Sequence, residues 1–139
     1  MTKTSRLLWA SENLYIGTDS SGHSVVIGAA DEQGNREGCK PSDLLLLALA
    51  SCVCVDVVAI LRKQRTPLTR LEVFAEPTNE TRPPWKFSAI HLTFKMEGPG
   101  LTAERALKAV QLSEAKYCAV AASLQPQVSI TLSVEVPAP

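Results

Sequence analysis

Two thiols stand out as the residues of this chain that could do chemistry. Cys52 lies inside an almost unbroken apolar run from Leu44 to Leu61, and Cys118 closes the distant segment Lys116-Tyr117-Cys118. A thiolate attacks peroxides, disulfides and other electrophiles, and a second thiol within reach turns the oxidised sulfur into a recoverable disulfide. A buried cysteine with one remote partner is therefore the pattern of a thiol redox site. The competing reading is packing, because free cysteine is among the most buried residue types and behaves as a small hydrophobe.

Helical spacing sharpens the choice. On a helix Cys52 shares a face with Leu45, Ala48 and Asp56, whereas Cys54 points about 200° away. Cys118, read as part of a second helix, shares a face with Leu107, Val110 and Glu114. Each thiol then has a carboxylate one turn off, and burial and a nearby anion both raise a thiol pKa. A reactive Cys52 needs a cation to hold its thiolate; Arg6, Arg36 and Arg82, in strands or loops, are the candidates. A metal is not expected, since Cys52-x-Cys54 on a helix splays its thiols apart and His23 and His91 lack ligand spacing. No phosphate-cradling glycine loop, Ser/His/Asp pattern or carboxylate pair appears.

The elements that must position these thiols are legible from turns and periodicity. Short strands are expected at Arg6–Trp9, Asn13–Ile16 and His23–Ile27, separated by Ser11-Glu12 and by the hairpin turn Asp19–Gly22. Pro41-Ser42-Asp43 opens the long helix, with Ser42 or Asp43 as cap, and Arg62–Arg65 closes it before Pro67. A strand at Thr69–Ala75, a proline-bearing loop at Glu76–Pro84 and a strand at Phe87–Met96 follow. Ile90, Leu92, Phe94 and Met96 share one face of that last strand. Thr102–Ser123 reads as helix with an interruption near Ser113. Val128 to Val136 alternates apolar and polar residues, a half-buried antiparallel strand. The order β-β-β-α-β-β-α-β excludes a regular βαβ nucleotide fold and argues for an α+β domain spanning 1–139.

Composition bounds the partners. Lys+Arg and Asp+Glu both number 14, so the net charge is zero and neither nucleic acid nor an acidic membrane surface is indicated. Leu44–Leu61 approaches the length of a membrane span, but Asp56 would sit within it, where ionisable groups are costly. A helix apolar all round is otherwise buried on all sides, and one chain this small can hardly surround it, so a partner copy is expected. Met1–Arg6 lacks the apolar core and cleavage site of a signal peptide. Four irregularly spaced cysteines do not make a secreted disulfide framework, so a cytoplasmic setting is expected.

With Ser21-Gly22-His23, with Pro41–Leu45 running through Ala50-Ser51-Cys52 to Asp56–Leu61, and with Ser113–Val120, the chain resembles the OsmC/Ohr superfamily. It is most similar to the YhfA-like branch. The resemblance implies antiparallel sheets packed around two central helices in an interlocked homodimer. It also implies reduction of organic hydroperoxides in oxidative stress defence, with Cys52 peroxidatic and Cys118 resolving. A dithiol reductant would complete the cycle, and no metal or organic cofactor is required. The chain departs from the peroxidase pattern at Ser42, where those enzymes have a glutamate, and at Ala119, where they have proline. The activating arginine stays open between Arg6 and Arg36. The alternatives are a redox-sensing protein, a binder of small apolar ligands, or thiol chemistry on another electrophile.

Overall fold

Alternating side chains and a turn every few residues build the first sheet. The computed structural model describes residues 3–138 and divides between Leu45 and Leu46 into two compact units. In the N-terminal unit, β1 (Arg6–Ser11), β2 (Leu14–Thr18) and β3 (Ser24–Gly28) form an antiparallel meander in chain order. The β2–β3 turn is closed by Asp19, whose Oδ1 accepts from the amides of Ser21 (2.8 Å) and His23 (2.9 Å). After the loop the chain returns to β3, where the Cys39 amide donates to Val26 O at 2.9 Å. Gly28 and Gly38 allow that approach: a Cβ on Gly28 would stand 2.7 Å from the Gly38 nitrogen. The sheet leaves Leu7, Leu8, Trp9, Val25 and Val26 exposed.

Helix α1 (Pro41–Lys63) starts with proline at its first position, where a missing N–H costs nothing. The Lys40 carbonyl takes the first helical bonds, from Asp43 N (3.0 Å) and Leu44 N (3.3 Å). Ser42 and Asp43 thus lie in the first turn and are not its cap; Asp43 still complements the helix dipole there.

The core of the C-terminal unit is one apolar cluster. From α1 it takes Leu46, Leu49, Ala50, Val53, Val57 and Leu61, a seam recurring every three or four residues. From the second sheet it takes Ile90, Leu92, Phe94 and Met96, each 0% exposed, which is the face the alternation predicted. Each such side chain contributes about 1.5–3 kcal/mol by leaving water. The helix is long and apolar enough to cross a membrane, yet its seam packs in this core. Its other side leaves Leu47 and Val55 exposed.

The second sheet runs β4 (Arg70–Asn79), β5 (Phe87–Glu97), β6 (Ser129–Glu135) in that spatial order. Two expectations change here. β4 continues through Pro77 to Asn79 where a loop was expected; β4 is an edge strand, and an edge tolerates a residue without N–H. β6 pairs parallel to β5, with Ile90 opposite Ile130 and Leu92 opposite Leu132. The intervening helices form a crossover that brings the chain back to the starting end of β5, and parallel pairing requires such a connection.

The crossover is broken in the expected region. α2 (Ala103–Leu112) begins at the cap Thr102, whose Oγ1 accepts from Arg105 N at 3.2 Å. It runs into a single π-turn, Ser113–Tyr117, and then into α3 (Ala119–Leu124).

Candidate dithiol site

The C-terminal unit holds both Cys52 and Cys118, and Cys52 is among the groups that act on the Cys118 thiol. Cys52 is half-buried on α1, one residue before the seam position Val53. Cys118 is 2% exposed. It does not share a helical face with Leu107, Val110 and Glu114, because the π-turn shifts the register and Cys118 is extended (φ −82°, ψ 103°). It sits between helices: its amide donates to Ser113 O at 2.9 Å, and its sulfur caps α3 by accepting from Ala121 N at 3.3 Å. A π-turn inside a helical segment is often found beside a functional residue.

Burial pushes the Cys118 thiol up to about 11, and hydrogen bonding and charge from Cys52 push the same way against the Ala121 and Val120 amides. Cys118 is therefore a protonated thiol at neutral pH. Both cysteines are free. Among the described residues, those acting on Cys118 are Cys52, Ala121 and Val120, none of them a cation. Of the candidate arginines, Arg36 gives its Nη1 to Gly28 O at 2.7 Å, and the Arg82 carbonyl holds the turn at Trp85. Arg6 lies on β1.

The two carboxylates expected beside the thiols are engaged elsewhere. Asp56 Oδ2 is 3.4 Å from the hydroxyl of Ser113, which also donates to Val53 O at 3.0 Å. Glu114 Oε1 accepts from Gln125 Nε2 at 2.8 Å. Ser113 is fully buried, and its contacts were not anticipated from sequence. The available signal was a serine at the predicted helix interruption, since a mid-helix serine tends to bond its own chain. Beside this region Asp56, Ile60, Lys63, Leu112 and Tyr117 line an open cleft of about 350 Å³.

The other candidates have different partners. Cys54 is half-buried, and burial pushes its thiol up to about 11. Cys39 bridges to Ile27 in the N-terminal unit. His91 straps β5 to β6, with Nδ1 2.6 Å from Thr131 Oγ1 and Nε2 2.9 Å from Ser133 Oγ. His23 stays at the exposed Asp19 turn. Among the described residues no three His, Cys, Asp or Glu side chains converge to hold a metal.

Known proteins share this fold. The family model for OsmC-like proteins matches residues 33–133. Protein YhfA of Escherichia coli K12 is 33% identical over 131 residues, covering 94% of this chain and 96% of its own. The crystal structure of a hypothetical protein from Aquifex aeolicus VF5 superposes with a TM-score of 0.85 at 28% identity, covering 99% of this chain and 97% of the other. An organic hydroperoxide resistance protein OsmC from Legionella pneumophila has the same fold at a TM-score of 0.68 and 16% identity, with 98% of each chain covered. A family model over residues 33–133 and a relative at 33% identity show that the chain belongs to the OsmC-like protein family.

Proposed function

We propose that the protein is a thiol-dependent reductase of organic hydroperoxides, a single OsmC-like domain acting as a homodimer, with Cys52 peroxidatic and Cys118 resolving. The observation that carries this reading is that both free thiols belong to one apolar region, Cys118 within the core cluster and Cys52 packed against it, with Cys52 among the groups acting on the Cys118 thiol. The fold shared with an organic hydroperoxide resistance protein supports the substrate class. The Cys52 thiolate attacks the terminal peroxide oxygen; the O–O bond breaks, the alkoxide takes a proton and leaves as alcohol, and Cys52 becomes a sulfenic acid. The Cys118 thiol then attacks that sulfur, releasing water and forming the Cys52–Cys118 disulfide. An external dithiol restores both thiols and is itself oxidised to a disulfide.

Apolar neighbours of the pair, among them Leu49, Val53 and Val120, favour an organic peroxide over hydrogen peroxide. Exposed apolar residues on the first sheet and on α1 suit a second copy of the chain. Four free thiols suit a reducing compartment such as the cytoplasm. A redox-sensing role is the second reading, favoured by the raised, protonated Cys118 thiol, which slows disulfide formation.

Peroxide consumption tests the proposal. Wild type with dithiothreitol should consume an alkyl hydroperoxide, Cys52→Ser should abolish turnover, and Cys118→Ser should leave a sulfenic acid trappable by dimedone at Cys52. Turnover no faster than that of a free thiol would sink the enzyme reading.

A further inference from the structure

We propose that Ser113 is the positioning residue that sets the Cys52–Cys118 partnership. Three bonds converge on it. Its hydroxyl donates to the carbonyl of Val53, the residue after Cys52, at 3.0 Å. Its second acceptor is Asp56 Oδ2 at 3.4 Å, one turn beyond Cys52 on α1. Its own carbonyl accepts the amide of Cys118 at 2.9 Å. One residue thus ties the backbone beside the first thiol to the backbone of the second.

The local geometry gives this link a purpose. A serine inside a helix ordinarily bonds the carbonyl four residues back. Here the hydroxyl crosses to α1 and uses the lone pair of Val53 O that the helix leaves free. The five-residue bond from Cys118 N to Ser113 O is what makes the segment a π-turn, so the residue anchored to α1 is also the one that delivers Cys118. Ser113 is 0% exposed, so water cannot replace the lost partner if the hydroxyl is removed.

The inference rests on the dithiol reading of the site, and its test is a thiol–disulfide equilibrium, so a protein without peroxide turnover still decides it. In a Cys39→Ser, Cys54→Ser background, the Cys52–Cys118 disulfide is titrated against oxidised and reduced dithiothreitol, and the melting of the reduced form is recorded beside it. Ser113→Ala should lower the effective concentration of the two thiols about three- to tenfold, the equivalent of one lost buried hydrogen bond. Ser113→Thr, which keeps the hydroxyl, should stay within about twofold of the parent, while Ser113→Val, isosteric with the threonine variant, should fall with alanine. A purely structural serine lowers melting and leaves the disulfide equilibrium unchanged. Equal equilibria for threonine and valine overturn the inference, including where the alanine variant does not fold. A parent that forms no Cys52–Cys118 disulfide overturns the dithiol reading itself, and the inference with it.

Discussion

The amide of Ala121 donates to the Cys118 sulfur at 3.3 Å, so the second thiol of the pair is a helix cap and not a helix-face residue. A cap has its side chain turned back over the first turn it serves. That fixes where the sulfur lies relative to α3, and makes its chemistry and the stability of α3 depend on the same atom.

Cys118→Ser should therefore be close to wild type in stability, because a serine oxygen takes the Ala121 amide at least as well. Cys118→Ala leaves that amide unpaired and should cost about 0.5–2 kcal/mol more than serine. Urea unfolding of the two reduced variants measures the difference. Equal midpoints would show that the cap contributes nothing.

The raised Cys118 thiol also makes a pH prediction. A folded value near 11 against an ordinary 9.0 means that the unfolded chain releases the proton first as pH rises. The fold is unpenalised below about pH 9 and loses stability toward pH 11, by about 2 kcal/mol for this group. Cys54, pushed up to about 11 by burial alone, acts in the same direction. Cys118→Ser removes the titrating group, so its urea midpoint should fall less steeply than wild type between pH 8 and 10.5. Parallel pH profiles for the two proteins would refute the assignment.

Two phenylalanines on opposite faces of the second sheet give a contrast in packing. Phe94 is 0% exposed, while Phe74 is 42% exposed with Lys95 Nζ 5.1 Å from its ring centroid. Phe94→Ala should destabilise by about 3–5 kcal/mol through the cavity it leaves. Phe74→Ala should cost about 1 kcal/mol, the scale of an exposed cation–π contact plus partial burial. Comparable losses for the two variants in chemical denaturation would mean that the burial pattern misassigns the core face.

What the sequence made legible follows from local rules. The Ile90–Met96 face repeats with period two, so its burial needed no knowledge of its partners, whereas α1 is apolar all round and its buried seam was not marked by any period. Three features depended on longer-range geometry. The direction of β6 is set by where the crossover ends, and Pro77 stays in a strand only because β4 is an edge. Cys118, expected on a helix face with Leu107, Val110 and Glu114, is displaced from it by a π-turn, and no residue pattern specifies a π-turn. The interruption at Ser113 was legible, but its contacts were not, because its partners lie on another helix, 57 and 60 residues away in sequence.

The apolar side chains left at the surface lead to the last prediction. Leu47 is 56% exposed and Val55 69% exposed on the side of α1 away from its buried seam, and Leu7 and Trp9 are exposed on β1. A helix this apolar does not face water over its length without a partner. The proposed homodimer should therefore sediment at twice the 15.0 kDa chain mass. Val55→Glu, placing a charge where no buried seam residue is disturbed, should shift it toward the single-chain mass with its helical content retained. Wild type that sediments as one chain at tens of micromolar would remove the second copy from the proposed mechanism, and with it the reason for an apolar outer face on α1.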